Sequence, residues 1–270
     1  MGYEIKPLSV GEILDGAFQL YRNHFAAFFT VVAVIAVPAV TFGALVGWAV
    51  TGTFAPVTTP QAAGLGRFWL VILVSAPVTF GLYILQNSVL TIAIADAYLG
   101  RTVSVAAAFR RAVRLLGSLS GAAVLTGLGV WGGMILLVVP GILLALRWLF
   151  TVQAITVEGL GASASLKRSR QLTTGRRLRL AGLVLLITII TVAINFGAAA
   201  VIPNAVLALP VIGPLLRQLP TTVLAPLYPA VLTLAYFDAR VRSEAFDLEM
   251  LARTIGGGPP AAVAVAARTV

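Results

Sequence analysis

An all-α bundle of six transmembrane helices is the fold this sequence predicts, and three observations predict it. The 270 residues are 59% apolar and only 10% charged, with a mean hydropathy of +1.00, whereas a soluble domain carries about 25% charge. Six apolar stretches reach or approach the roughly 20 residues that a helix needs to cross the hydrocarbon core of a bilayer. The segments between them alternate between strongly basic and nearly uncharged.

The first span is placed at 25–50, with Pro38 inside it. The second, at 68–95, is longer than a crossing requires and holds Pro77 and the polar pair Gln86 and Asn87; tilt or a kink at the proline absorbs the excess. The third covers 118–139 and ends at Pro140 and Gly141. The fourth, 142–157, is short and contains Arg147. The fifth covers 181–202 and ends at Pro203, and the sixth covers 221–239. Between these two, Pro203, Pro210, Pro214 and Pro220 interrupt an apolar stretch, which reads as an external loop with a short interfacial or re-entrant piece. Residues 1–253 thus form a single membrane domain. Residues 254–270, with the Gly256–Pro260 run, read as a flexible cytoplasmic tail.

Charge sets the orientation. Of the 19 Lys and Arg residues, Lys6 and Arg22 precede the first span. Arg101, Arg110, Arg111 and Arg114 follow the second. Lys167, Arg168, Arg170, Arg176, Arg177 and Arg179 follow the fourth, and Arg240, Arg242, Arg253 and Arg268 follow the sixth. The opposite side has only Arg67 and Arg217, and Arg147 lies within a span. Cytoplasmic loops carry the excess of Lys and Arg, so both termini are assigned to the cytoplasm. Glu4, Glu12 and Asp15 make the N-terminal segment unlike a cleaved signal peptide, and the first span reads as a retained anchor.

A unit recurs along the chain. Ser9 and Glu12 have the spacing of a capping box, and Val10, Leu14, Phe18, Tyr21 and Phe25 then recur at helical steps. Ser104 opens a second such segment, with Val105, Phe109, Val113 and Leu116 as its apolar stripe and Arg110, Arg111 and Arg114 beside it. Ser163 or Ser165 opens a third, less regular one. Each hairpin of spans closes on a carboxylate: Asp96, Glu158 and Asp238. The simplest reading is three copies of an amphipathic cytoplasmic helix followed by a transmembrane hairpin. Such helices place apolar side chains in the acyl boundary and arginines among anionic headgroups, each basic residue contributing about 1 kcal/mol. Arg110, Arg111, Arg114, Lys167 and Arg168 are the candidate headgroup ligands.

The chemistry-bearing residues are few. There is no cysteine and one histidine, His24, which removes thiolate sites, zinc sites and histidine triads. His24, beside Arg22 and Asn23, reads as an interfacial hydrogen-bonding residue. No phosphate loop, zinc-protease motif, nucleophile elbow or dinucleotide fingerprint occurs. The basic segments are short and separated by spans, which excludes a nucleic-acid module. Arginine inside a bilayer is expensive, so Arg147 reads either as a structural residue bonded to polar neighbours or as a site for an anionic group. Gln86, Asn87, Gln153 and Asn195 are the polar residues available to it or to one another. Asp96, Glu158 and Asp238 read as paired, solvated end caps rather than a proton path. Gly43 and Gly47, Gly117 and Gly121, and Gly129 and Gly133 have the spacing that lets helices approach closely. Neither a metal nor a cofactor is expected.

Three runs together, PLSVGEILDGAFQLYRNHF at 7–25, VVPGILLALRWLFTVQAITVEGLGASASLKRSRQLTTGR at 138–176 and YFDARVRSEAFDLEML at 236–251, resemble the membrane domain associated with glycerophosphoryl diester phosphodiesterases and its stand-alone actinobacterial relatives. The resemblance spans nearly the whole chain before 253. It implies an integral protein of the bacterial inner membrane without the catalytic barrel of the fused members. No catalytic residue carries over.

The leading functional expectation is a non-enzymatic scaffold or lipid-associated accessory component with a basic cytoplasmic face. Its expected partners are anionic membrane lipids, with a protein partner or a second copy left open. The alternative is a small-solute transporter or permease with a polar site around Arg147. A membrane-embedded lipid enzyme would need a carboxylate or histidine cluster within the spans, and none is present.

Overall fold

The computed structural model of the chain describes residues 8–52, 64–201 and 212–244, and all regular structure among them is helical. The helices, in chain order, are α1 (Val10–Asn23), α2 (Phe25–Thr51), α3 (Leu65–Tyr98), α4 (Val105–Arg114), α5 (Leu116–Leu136), α6 (Val138–Arg147), α7 (Thr151–Glu158), α8 (Ala162–Thr173), α9 (Arg177–Val201), α10 (Ile212–Leu224) and α11 (Leu227–Glu244). Among the described residues, six helical segments are long and apolar enough to cross a membrane: Phe25–Thr51, Leu65–Tyr98, Leu116–Leu136, Val138–Glu158, Arg177–Ala198 and Gln218–Glu244. The tail, 254–270, lies outside the described residues.

Local chemistry sets several boundaries. Ser9 caps α1: its Oγ accepts from the Glu12 amide at 3.2 Å, and the Ser9 amide donates to Glu12 Oε2 at 2.6 Å. Both halves of the capping box are thus present. Ser104 caps α4 through the Ala107 amide. Helix α8 departs from expectation. It starts at Ala162 behind Gly161, with no side-chain cap, and Ser165 is buried instead. Gly159 takes a positive φ of 73° at the end of α7, a left-handed conformation that favours glycine.

Three other boundaries differ from the sequence reading. The turn between the third and fourth spans falls at Leu137, whose backbone is extended, and not at Pro140–Gly141. Pro140 sits in the first turn of α6, where a missing N–H leaves no bond unmade. The fourth span is broken, with α6 ending at Arg147 and α7 starting at Thr151. Residues 212–220, read as part of a broken external loop, are helical and join the start of the expected sixth span in α10 (Ile212–Leu224), with Pro220 inside it. Pro214 again occupies a first turn. Pro203 and Pro210 lie outside the described residues.

Burial is concentrated in part of the chain. Helix α3 has 34 residues and would extend about 51 Å against a hydrocarbon core of about 30 Å. None of its residues from 65 to 84 is buried, whereas Leu85 and most residues from Ser88 to Tyr98 are. The buried end belongs to a core shared with α1, the start of α2, α4, Phe150, Leu172 and α11. Exposed large apolar side chains crowd the other segments, from Val34 to Trp48, Leu65 to Tyr83, Val124 to Leu143 and Leu178 to Val201. Such a surface suits lipid rather than water.

The short helices pair in a consistent way. Helix α4 packs on the end of α3, and α8 packs on α7, so each contacts the helix that precedes it. Helix α1 has no described helix before it and packs chiefly on α11, the last described one. Leu8 meets Asp238, Gly16 approaches Leu234 and the Tyr21 hydroxyl donates to the Val223 carbonyl at 2.7 Å. The end of α3, α7 and α11 also contact one another, and Tyr98 stacks on Phe237 with ring centroids 5.1 Å apart. The buried faces differ from the predicted stripes. Helix α1 buries Ile13, Ala17, Leu20 and Tyr21, while Phe18 is 58% exposed. Helix α4 buries Ala108 and Ala112 and leaves Val113 exposed.

Helices α5 and α6 come into backbone contact. A Cβ at Gly141 would lie 2.8 Å from the Met134 nitrogen, and one at Gly133 would lie 3.0 Å from the Gly141 Cα. Gly141→Val is therefore expected to destabilise the protein by about 1–3 kcal/mol through overpacking. Gly132→Ala, at a position with nothing within 4 Å, is expected to be neutral or slightly stabilising. Melting in detergent checks both.

Candidate functional site

The break in the fourth span exposes backbone groups that another helix satisfies. A helix end leaves carbonyls unpaired and a helix start leaves amides unpaired. Ser169 on α8 serves both: its Oγ accepts from the Phe150 amide at 3.0 Å and donates to the Arg147 carbonyl at 3.0 Å. Thr173 Oγ1 donates to the same carbonyl at 3.3 Å. The buried face of α8 is accordingly Ser165, Ser169, Leu172 and Thr173, a polar set suited to closing a broken helix. The side chain of Arg147 is half-buried, and its Nε is buried without a hydrogen-bond partner.

Two arginine–carboxylate clusters join distant segments. In the first, Asp238 accepts from the Leu8 amide at 2.8 Å and from Arg242 Nε at 2.9 Å, and it pairs with Arg179 at 3.0 Å. Both arginines also donate to the Leu8 carbonyl. Asp238 is only 4% exposed, so it is paired but not the solvated cap expected of it. In the second, Arg168 meets Glu158 through Nε and Nη2, each at 2.9 Å, and its other face meets Glu244. Arg240 joins Glu244 at 3.1 Å, and the Tyr236 hydroxyl donates to Glu158. Burial acts to lower the pKa of Arg168, but its bonds to Glu244 and Glu158 outweigh that and raise it. The guanidinium therefore stays charged. Asp96 has one ion-pair contact, to Arg101 at 3.5 Å, and that arginine is exposed.

These contacts sort the five candidate headgroup ligands. Arg110, Arg114 and Lys167 are exposed. Arg111 donates to the Thr156 carbonyl at 2.6 Å, tying α4 to α7. Arg168 is occupied by its two carboxylates. Sequence reasoning placed it among free surface charges because Glu244 lies 76 residues away.

The polar residues of the spans do not gather around Arg147. Asn87 donates to the Tyr83 carbonyl within its own helix at 2.9 Å. Asn195 donates to Thr191 and accepts from Thr221 at 3.0 Å, joining α9 to α10. Gln86, Asn87 and Thr221 border a crevice of about 390 Å³ between α2, α3 and the α10–α11 segment. A larger cleft, about 740 Å³, opens between α3, α5, the α6–α7 segment and α11. Asn87, Thr126 and Gln153 line it, and Arg147 lines neither cavity. Gln153 is buried and its Oε1 has no hydrogen-bond partner. The signals of this cleft in the sequence were Asn87 and Gln153, polar residues in separate apolar runs that nothing in the sequence joined.

Among the described residues, no three His, Cys, Asp or Glu side chains are grouped to hold a metal ion. Comparison of the chain with protein-family models, curated proteins and solved structures returns no match. The resemblance noted above therefore stands on its three sequence runs alone.

Proposed function

We propose that the chain is a non-enzymatic, multi-pass component of the bacterial inner membrane, with both termini in the cytoplasm and a basic cytoplasmic face that retains anionic lipid. The proposed arrangement is three hairpins of spans with α1, α4 and α8 as the cytoplasmic helices. The proposed kinship is with the stand-alone relatives of the phosphodiesterase-associated membrane domain.

The observation that carries this reading is how the arginines divide. Arg168, Arg179, Arg240 and Arg242 are matched to Glu158, Asp238 and Glu244, which assigns those carboxylates structural roles. Arg110 and Arg114 lie one turn apart on α4, exposed, beside the exposed apolar Val113. Cations next to an outward apolar side chain are what an interfacial helix presents to headgroups. A solute path around Arg147 has less support, since that residue lines neither cavity.

Charge reversal tests it. Each basic residue at an anionic surface contributes about 1 kcal/mol. The triple variant Arg110→Glu, Arg114→Glu, Lys167→Glu is expected to lose at least about ten-fold in phosphatidylglycerol occupancy, read by native mass spectrometry at low salt. Unchanged occupancy in a folded variant overturns the reading.

A further inference from the structure

We propose that the cleft between α3, α5, the α6–α7 segment and α11 binds a neutral glycerolipid through its free hydroxyl, which donates to Gln153. The proposal shares with the preceding section only the placement of the chain in a bilayer, and it uses none of the basic face.

The argument begins with an orphan. Gln153 is 2% exposed, lines the cleft and leaves its Oε1 without a partner. Buried polar groups are normally hydrogen-bonded, so an unpartnered one at a cavity wall calls for a ligand. A carbonyl oxygen only accepts, which makes the complement a donor. Thr126 Oγ1 lines the same cleft and is likewise buried without a partner. Its hydroxyl can give to a second oxygen on the same molecule, such as an ester carbonyl. Two residues lining one cavity each carry an unpartnered polar atom, a pair that fits a head with both a donor and an acceptor.

Charge narrows the class. Among the described residues, no Asp, Glu, Lys, Arg or His lines the cleft. An ammonium head would find no carboxylate, and a phosphate would find no cation, so the head is uncharged. The walls specify the rest. Leu119, Ala122 and Ile155 form an apolar interior. The rim includes Leu128 and Trp131, which are 70% and 71% exposed. A rim of exposed apolar side chains opens toward acyl chains rather than water, so the donor arrives from lipid. The volume, about 740 Å³, lies within the roughly 300–1,000 Å³ of small-molecule sites. A diacylglycerol meets these conditions: a free hydroxyl, ester carbonyls and no charge.

The full chain in phosphatidylcholine nanodiscs is exposed to a diazirine-bearing diacylglycerol and, separately, to the same probe with its hydroxyl methylated. Photolabelling of peptides covering 119–131 and 148–155 is expected to be at least ten-fold stronger with the free hydroxyl and to be displaced by unlabelled diacylglycerol. Gln153→Leu is expected to remove the difference between the two probes. Ala123→Trp, at the cleft wall, is expected to reduce both signals. Equal labelling of the native chain by the two probes, or no labelling in these peptides, overturns the proposal even if Gln153→Leu fails to fold. The Arg110→Glu, Arg114→Glu, Lys167→Glu variant is expected to label normally, which separates failure here from failure of the basic-face reading.

Discussion

Asp238→Ala is expected to destabilise the protein by about 3–5 kcal/mol, the typical consequence of removing one partner from a buried ion pair. The carboxylate is 4% exposed and receives three groups from three segments: the Leu8 amide, Arg179 on α9 and Arg242 on α11. Alanine leaves the Leu8 amide without its acceptor and both guanidiniums without their carboxylate, although each arginine side chain keeps about a quarter to a third of its surface exposed. The two guanidiniums would then share one acceptor, the Leu8 carbonyl, while repelling each other.

Two controls separate this from a generic core defect. Asp238→Asn keeps the shape and an acceptor oxygen, so its effect should be smaller than that of alanine. Asp238→Ala combined with Arg179→Met removes both members of one pair. The double variant should be more stable than the sum of the single losses predicts, with a coupling of about 0.5–3 kcal/mol. The measurement is the melting midpoint in detergent for five proteins: the native chain, Asp238→Ala, Arg179→Met, their double variant and Asp238→Asn. A midpoint for Asp238→Ala equal to that of the native chain would refute the account, as would strict additivity. Since Leu8 hangs on this carboxylate, loss of the pair should also raise amide exchange in α1 before global unfolding.

What could be read beforehand follows from the range of the interactions. Span length and composition depend on neighbours in sequence, and the six apolar segments lie near their expected places. The capping box at Ser9 and Glu12 is local and was legible. The break at 148–150 was not, because Ser169 and Thr173, which satisfy its backbone, lie about two helices downstream in the chain. The apolar stripes were legible in part: Val10, Leu14, Val105, Phe109 and Leu116 pack on the core, whereas Phe18 and Val113 face outward. Hydropathy gives weight to Phe18 and Val113, but close packing chose Ala17, Ala108 and Ala112, whose small size admits a neighbouring helix. Arg168 could not be told from Arg110 without knowing that α11 delivers Glu244. The cleft depends on four segments converging around Gln153, and no one of them signals it.

Glu158 should behave as the hinge of the second cluster. It ends α7, and it receives Arg168 through Nε and Nη2 together with the Tyr236 hydroxyl. Its side chain and that of Arg168 are each less than one-fifth exposed, so solvent replaces little of what is lost. Glu158→Ala is expected to cost roughly 1–3 kcal/mol for each polar group left unsatisfied. Arg168 retains Glu244, which limits its share, whereas the Tyr236 hydroxyl donates to Glu158 and its ring is buried against Phe150. Tyr236→Phe removes the donor without stranding it, so its effect should be nearer to about 1 kcal/mol. In the double variant Glu158→Ala, Tyr236→Phe, part of the Glu158→Ala loss should return, because the orphaned hydroxyl is gone. Hydrogen exchange gives an independent reading. With Glu158 removed, α8 loses its tie at Arg168, while Ser169 and Thr173 still hold its C-terminal half. Exchange should therefore rise from Ala162 toward Arg168 more than at Leu172. A uniform rise along α8, or a double variant weaker than Glu158→Ala, would mean that the cluster does not act through the carboxylate.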